Sequence, residues 1–561
     1  MKIDLSGSEK PVNKKSEIKN FILCNEAIFL IICTFVAFLI RFLLIPDETS
    51  LHSDSVYYLT LGRKMISGDL WNGISAYWAP FYPFLIGVFS LFFQDLEFAG
   101  RFVSVIAGTA LIFPTYFLIR DIYGRSVAFI GIILVTFHPS LIQSSGWALA
   151  ESLYTLIFTA GIMMGWYSLR KGKKQNFFLT GLLFGAAYLT KPEAIGFIAL
   201  LFFLTAGTKF FCRNLNFRFL VTRYLFLLLG FAILFLPYVI FIHQKVGHWT
   251  ISQKLQNNIT SVEYEKSLLE LTDDGETTKK DQLMGDVYEI KNQQTKNPLS
   301  SDLAGLHDAK LNYNENEFIP KTYRNLKKEV KEYIPEILPF TLILLVIIGL
   351  FHKPWTRLRL AREVYLFSFL ICTLLGYAVS VINLRYCFAV IPVLICWSSN
   401  GIVMFSDWAS KSASNFRIPH LKINSVTVQV FTLLTAVALL MFSLFNEIRT
   451  DINSLPDLEE KKAGLWIKNH KNSSSLIMDS EPAVAFYAEE KHIFLPDEDF
   501  LKVLDYAKRQ KVTYLVIAQR NLKNYRKFVI PNEHNFPQDL KLVYENEHEL
   551  GHKTFVYQLR D

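Results

Sequence analysis

Charge is the first thing this sequence is short of. Only 19% of its 561 residues are Asp, Glu, Lys or Arg, against about 25% in soluble globular proteins. So little charge cannot cover a soluble surface over the whole length, which excludes a purely soluble fold. Cysteine is sparse as well. Cys24, Cys33, Cys372, Cys387 and Cys396 lie in or beside apolar runs, and Cys212 lies in a basic loop. With no CxxC pair and none in the long polar segments, a disulfide framework and a cysteine metal site are excluded. The net charge of +8 is dispersed over short loops and forms no stripe, which rules against nucleic acid as a partner. Walker, GxSxG, HExxH and dinucleotide-binding motifs do not stand out,, nor do internal repeats or low-complexity tracts.

What is abundant is apolar surface: 51% hydrophobic residues, 15% aromatics and 48 Phe. Several runs reach or approach the ~20 residues that span a bilayer as a helix. The sequence therefore predicts a polytopic α-helical membrane protein with room for one soluble domain. Residues 1–20 carry Lys2, Lys10, Lys14, Lys15 and Lys19, which sets a cytoplasmic tail before the first span, 21–45. That run lacks a small-residue cleavage site and reads as a retained anchor.

Segment 79–93 decides the topology. It is apolar but short, carries Pro80 and Pro83, and ends in Gln94-Asp95-Leu96-Glu97. If it does not cross, the later basic loops all fall inside, among them Arg120/Arg125, Arg170/Lys171/Lys173/Lys174 and Lys353/Arg357/Arg359/Arg362. The positive-inside rule thus predicts a helix lying on the outer face, and 46–101 becomes one external loop. Further spans are expected at 102–119, 127–143, 152–169, 177–190, 194–208, 219–242, 336–351, 364–382, 387–405 and 424–445, about eleven in all with the first. Within a membrane body over 21–445, residues 243–335 form a long polar external loop. Residues 446–561 form an extracytoplasmic α/β domain, with helical spacing at 463–468 and 500–511 and strand-like runs at 475–478, 512–517, 541–544 and 554–559.

Charge in a bilayer is costly, ~2.5–3.5 kcal/mol per residue at mid-depth, so polar residues at the outer rim are the candidates for chemistry. Asp54 follows the first span in Leu51-His52-Ser53-Asp54-Ser55-Val56-Tyr57-Tyr58. A solvated loop carboxylate would explain it alone, but Tyr57, Tyr58, Trp71, Tyr77 and Trp78 make this loop unusually aromatic. Glu151 stands at the start of the 152–169 span, where a helix N-terminus also favours a carboxylate. Arg385, in Asn383-Leu384-Arg385-Tyr386, is an external cation suited to bidentate phosphate contact, with a snorkelling residue as the plain alternative. Lys191, in Leu189-Thr190-Lys191-Pro192-Glu193, is similar and could equally pair with Glu193. Two carboxylates and two cations on one face suit a reaction in which a hydroxyl attacks and a lipid phosphate leaves.

At these residues the chain resembles the GT-C glycosyltransferases, nearest the branch of protein O-mannosyltransferases and lipid A aminoarabinose transferases. His52-Ser53-Asp54-Ser55-Val56-Tyr57-Tyr58 is similar to that branch's first-loop Asp motif, although Ser55 stands where members often carry a second acid. Pro80-Phe81-Tyr82-Pro83 with Ala99-Gly100-Arg101, Trp147 to Ser152, Leu189-Thr190-Lys191-Pro192, and Arg385-Tyr386 to Pro392 follow in the family's order. The resemblance implies a polyprenyl-phosphate-linked sugar donor and a glycan, lipid or protein acceptor at the outer face of the plasma membrane. It implies Asp54 as catalytic base, Glu151 as supporting carboxylate, and Arg385 and Lys191 on the donor phosphate. Tyr57, Tyr58, Trp78 and Tyr386 are expected to line the substrate site. No cofactor is required by this reading; a divalent metal, if used, would lie at Asp54 and Glu151. A transporter or flippase of lipid-linked precursors is the rival reading; it calls for polar residues at mid-depth and paired repeats. A non-catalytic envelope scaffold is the third.

Overall fold

The computed structural model describes residues 12–45, 50–211, 217–254, 315–415, 425–453, 458–471, 474–496, 499–524, 537–547 and 552–560. The expected tail up to residue 11 and most of the long loop, residues 255–314, lie outside them. The membrane body is helical. α1 (Val12–Leu43) opens it, and a group of short helices follows: α2 (Ser53–Ile66), α3 (Leu70–Gly73) and α4 (Phe81–Ser90). α4 is apolar but has only ten residues, ~15 Å of helix. That is half the ~30 Å hydrocarbon thickness, as expected of a helix that does not cross.

α5 (Leu96–Ala110) and α6 (Ile112–Ile122) run on as one 27-residue apolar stretch. Then come α7 (Arg125–Phe137), α8 (Pro139–Gly146), α9 (Glu151–Lys171), α10 (Lys174–Tyr188), α11 (Gly196–Phe211) and α12 (Phe217–Val246). After the long loop follow α13 (Glu315–Lys328), a π-turn at Glu329–Tyr333, α14 (Ile334–Ile337), α15 (Phe340–Phe351), α16 (Arg357–Val379), α17 (Ile391–Asn415) and α18 (Ser425–Asn453).

Among the described residues five helices are long and apolar enough to cross a membrane, or seven if each of two bent pairs is one span. The other expected crossings coincide with α9, α10, α11 and α16. The two bends are proline effects. α7 and α8 meet at 49° at His138-Pro139, and the 319–337 helix meets α15 at 107° at Leu338-Pro339. Proline has no N–H to continue the ladder and forces the residue before it to extend; His138 and Leu338 are both extended. The span expected at 336–351 is therefore shorter, starting at Phe340.

The first bend leaves carbonyls at the end of α7 without helical partners. Arg41, fully buried near the end of α1, fills them: Nη2 donates to the Val135 carbonyl at 3.0 Å and Nη1 to that of Thr136 at 3.3 Å. A cation inside the apolar run thus locks α1 to the α7 break.

The C-terminal domain begins with α19 (Leu458–His470) and holds five strands: β1 (Leu476–Asp479), β2 (Lys491–Phe494), β3 (Tyr514–Ala518), β4 (Leu540–Glu547) and β5 (Lys553–Leu559). Their order is β2-β1-β3-β5-β4, with β1 parallel to β2 and β3 and the β5 pairings antiparallel. α20 (Ala483–Ala488) carries the β1–β2 crossover, and α21 (Phe500–Arg509) precedes β3. β3 is buried at every position, as a central strand covered on both faces must be. Its side chains alternate: Leu515 and Ile517 join Val503 and Leu504 of α21, while Tyr514 and Val516 join Ile467 of α19 and Val484 of α20. β2 and α20 are elements the sequence patterns did not predict.

The domain rests on α5 and α2. Glu97 of α5 takes Arg101 at 2.6 Å, Lys461 of α19 at 3.1 Å and the Tyr487 hydroxyl of α20 at 3.0 Å. A second contact joins Glu481, just beyond β1, to Ser53 of α2, whose hydroxyl donates to its Oε2.

Candidate active site

Four helix ends and turns, brought together by the fold, present the site. Ser53 and Asp54 form the first turn of α2 after an extended His52, where the helix dipole favours a carboxylate. Glu151 is the first residue of α9. Lys191 is extended (φ −144°, ψ 119°) before Pro192, as the residue before a proline must be, and this ends α10. Arg385 lies in the 3₁₀ turn Leu384–Val390, whose start is held by the Asn383 side chain accepting from the Arg385 N–H at 3.2 Å.

These four side chains, distant in sequence, form one alternating chain of charge. Arg385 Nη2 donates to Asp54 Oδ2 at 2.6 Å, and its Nε is 3.5 Å from Glu151 Oε1. Lys191 Nζ donates to the same Glu151 oxygen at 3.0 Å. Glu151 and Lys191 are buried, so each carboxylate needs its cation: an unpaired buried charge costs several kcal/mol. The Tyr386 ring lies under both cations, 4.6 Å from Lys191 Nζ and 5.6 Å from Arg385 Cζ, and stacks on Tyr377 at 4.9 Å.

Two contributors come from outside the expected set. Lys254, at the start of the long loop, sits 4.1 Å over the Trp78 ring. Burial pushes the Asp54 carboxyl up, but the charges of Lys254 and then Arg385 outweigh it and hold Asp54 below the usual carboxylate range. The Arg385 guanidinium is held charged by Glu151 and Asp54 despite its burial. Burial first, and then Arg385, keep the His52 imidazole neutral by pulling its pKa down. Glu481, from the C-terminal domain, meets Ser53 next to Asp54. Neither residue carries a local signal: Lys254 is one lysine in a polar loop, and Glu481 follows Asp54 by more than 400 positions.

The structure also locates the expected aromatics. Tyr57, Tyr58 and Trp78 are buried, with Tyr57 stacked on Trp78 at 5.5 Å and Tyr58 edge-on to both Trp78 (5.1 Å) and Tyr82 (5.3 Å). They pack together beside the site, where Trp78 carries Lys254 and Tyr386 carries Lys191 and Arg385. Arg101, from the Ala99-Gly100-Arg101 stretch, is in the Glu97 anchor.

The residues do not suit a divalent cation. Asp54 and Glu151 are each already engaged by Arg385 or Lys191, and among the described residues no group of three or more His, Cys, Asp or Glu could hold a metal.

The helical body with its small C-terminal sheet domain is similar in fold to solved membrane proteins of low sequence identity. The family model for dolichyl-phosphate-mannose-protein mannosyltransferases matches residues 78–241. Among solved structures, an oligosaccharyltransferase of Archaeoglobus fulgidus tethered to an acceptor peptide aligns with a TM-score of 0.59 at 13% identity, covering 96% of this chain and 74% of that one. The same archaeal enzyme, AglB, with an inhibitory peptide and a dolichol-phosphate, aligns at 0.57 and 14% identity, with 88% and 69% covered. ArnT of Cupriavidus metallidurans bound to undecaprenyl phosphate aligns at 0.51 and 12% identity, covering 94% and 97%. At these identities the likeness is one of fold. No curated protein matches the sequence.

Proposed function

We propose that this chain transfers a sugar from a polyprenyl-phosphate-linked donor to a hydroxyl acceptor (protein, lipid or envelope glycan) at the outer face of the plasma membrane. The observation that carries this is Arg385 bridging Asp54 and Glu151 while Lys191 shares the Glu151 oxygen. The cations are poised for a phosphate, and the carboxylate beside them for a hydroxyl proton. The family-model match and the lipid-phosphate ligands of the two similar enzymes support the same donor class. Domain limits follow the sequence reading, 21–445 for the catalytic body and 446–561 for the outer domain, with α18 carrying the chain from one to the other.

In this reading the donor phosphate competes with Asp54 for Arg385 and takes Lys191 and Lys254 as well. Glu151 keeps Lys191 in place. Losing Arg385 to the phosphate frees Asp54 Oδ2 and makes it a stronger base. Asp54 then removes the acceptor's proton as the oxygen attacks the anomeric carbon. The carbon–oxygen bond to phosphate breaks, and the leaving polyprenyl phosphate's charge falls on Arg385 and Lys191. A transporter would need its ionisable residues at mid-depth; Asp54, Glu151, Lys191 and Arg385 stand instead at helix ends.

The test separates binding from transfer in the full chain in lipid nanodiscs. Arg385→Ala is expected to weaken undecaprenyl phosphate binding about tenfold or more, ~1.4 kcal/mol. Asp54→Asn is expected to keep that binding and lose transfer by about 10²- to 10⁴-fold. Transfer surviving Asp54→Asn would overturn the assignment.

A further inference from the structure

The C-terminal domain is not merely parked on the membrane body: it reaches the residue beside Asp54. Glu481 lies in the turn just past the carboxyl end of β1, between that parallel strand and α20, which starts after Pro482. In open α/β sheets this edge is where functional side chains gather, and here it faces α2.

The turn is braced from several directions. The Asp479 Oδ1 accepts from the Ser480 N–H at 2.7 Å and from its hydroxyl at 3.2 Å. Asn521, just beyond β3, donates to the Ser480 hydroxyl at 3.2 Å and to Glu460 of α19 at 2.6 Å. The His492 ring meets the Asp479 carbonyl at 3.1 Å. Glu481 is thus delivered by a rigid support. The hydrogen bond it makes runs to the hydroxyl of Ser53, the residue before Asp54 in the first turn of α2. Burial, and then the charge of Asp54, push the Glu481 carboxyl up, so the two carboxylates sense each other across this contact.

A first helical turn is where a helix frays most readily. Ser53 and Asp54 sit there with an N-cap, His52, that offers no side-chain hydrogen bond. Ordinary N-caps satisfy the orphan N–H groups and fix the first turn. At this helix the first turn is held by side chains from outside it: Arg385 takes Asp54, and Glu481 of another domain takes Ser53. From this we infer that Glu481 is a positioning residue of the transfer reaction: through Ser53 it fixes the first turn of α2 and so aims Asp54 at the acceptor hydroxyl. The C-terminal domain is then part of the active site. This rests on the donor and base assignments made above, and the Glu97 anchor to Lys461 and Tyr487 holds the domain in register for it.

The experiment uses the full chain in nanodiscs, an undecaprenyl-phosphate-linked hexose as donor and host membranes as the source of acceptor. Undecaprenyl phosphate alone serves as the binding probe. Glu481→Ala and Ser53→Ala each are expected to slow transfer on the order of 10- to 100-fold, the scale of a displaced reacting group. Undecaprenyl phosphate affinity stays at the wild-type value. Glu481→Gln, whose amide oxygen still accepts from Ser53, restores most of the rate. The Glu481→Ala/Ser53→Ala double variant is no slower than either single one, because both remove the same contact. Thermal unfolding midpoints separate a folding loss from a positioning loss, and Glu481→Gln serves if Glu481→Ala fails to fold. Wild-type transfer by Glu481→Ala, equal losses in Glu481→Gln and Glu481→Ala, or additive single losses would each overturn the inference. If Asp54→Asn is itself inactive while Glu481→Ala is normal, only this inference fails. If Asp54→Asn transfers normally, the functional reading fails first.

Discussion

At Asp54 burial and charge pull in opposite directions, and the charges win. Burial alone would raise its carboxyl, but Lys254, and after it Arg385, bring it below the ordinary range. A depressed acid contributes stability above its unfolded pKa of ~3.9 and loses it as pH falls through the folded value. The same sign governs activity: the base stays ionised to lower pH than a free Asp would. Lys254→Gln removes the larger of the two opposing charges, so the acid limb of the transfer rate is expected to move to higher pH. A pH–rate profile on the lipid-linked donor checks this, and an unmoved limb would mean that Lys254 does not act on Asp54.

The residue scale also shows how far the sequence reached. Asp54, Glu151, Lys191 and Arg385 were legible because each is an ionisable group next to an apolar run, where charge is expensive enough to need a reason. The structure places all four in one network. Lys254 and Glu481 were not legible. Each sits in a polar stretch where charge is ordinary, and only the fold brings it to Asp54. The aromatics split differently. Tyr57 and Tyr58 announce themselves by type, but composition does not say which face of α2 they take, and that face is the buried one.

Among the elements, α2 matters most, because its orientation sets Asp54. It crosses α4 with backbones nearly touching. A Cβ added at Gly62 would meet the Pro83 carbonyl oxygen at 2.6 Å, and one at Gly87 would meet the Gly62 carbonyl oxygen at 2.7 Å. These contacts are with backbone, so the helices themselves must part. Gly62→Ala is therefore expected to destabilise the protein by about 1–3 kcal/mol, the usual cost of overpacking, and to slow transfer by tilting α2. Gly376→Ala, where nothing lies within 4 Å, is the matched control and should leave both unchanged. Unfolding midpoints in detergent and the transfer rate measure the two effects. Equal behaviour of the two variants would show that the α2–α4 crossing has slack. At this scale the sequence patterns located the helices by apolar length and misjudged where proline divides them, since Pro139 and Pro339 break runs that hydropathy joins.

Across the whole molecule, charge separates the two ends. The α5–α6 stretch, one apolar span of 27 residues or ~40 Å of helix, carries Glu97 near one end and Arg120 near the other. α9 carries Glu151 at one end and Lys171 at the other. In both helices the end that builds the site or anchors the outer domain is acidic, and the opposite end is basic. Glu26 of α1 is drawn to that basic end, 2.7 Å from Arg120 and 3.4 Å from Arg125. Cytoplasmic loops gather Lys and Arg, so we propose that the end with Arg120, Arg125, Lys171 and Lys173 faces the cytoplasm. On that proposal Asp54 and the C-terminal domain share the outside, since Ser53 and Glu481 are in contact. Single cysteines placed in a chain whose six native cysteines are changed to serine test this directly. Leu501→Cys, on an exposed face of α21, should react with a membrane-impermeant maleimide added to intact cells. Lys173→Cys, in the exposed turn before α10, should react only after the membrane is opened. The reverse pattern would turn the molecule over and place sugar transfer on the cytoplasmic face. Labelling of both in intact cells would contradict the span that separates them, and with it the alternation of acidic and basic helix ends on which the orientation rests.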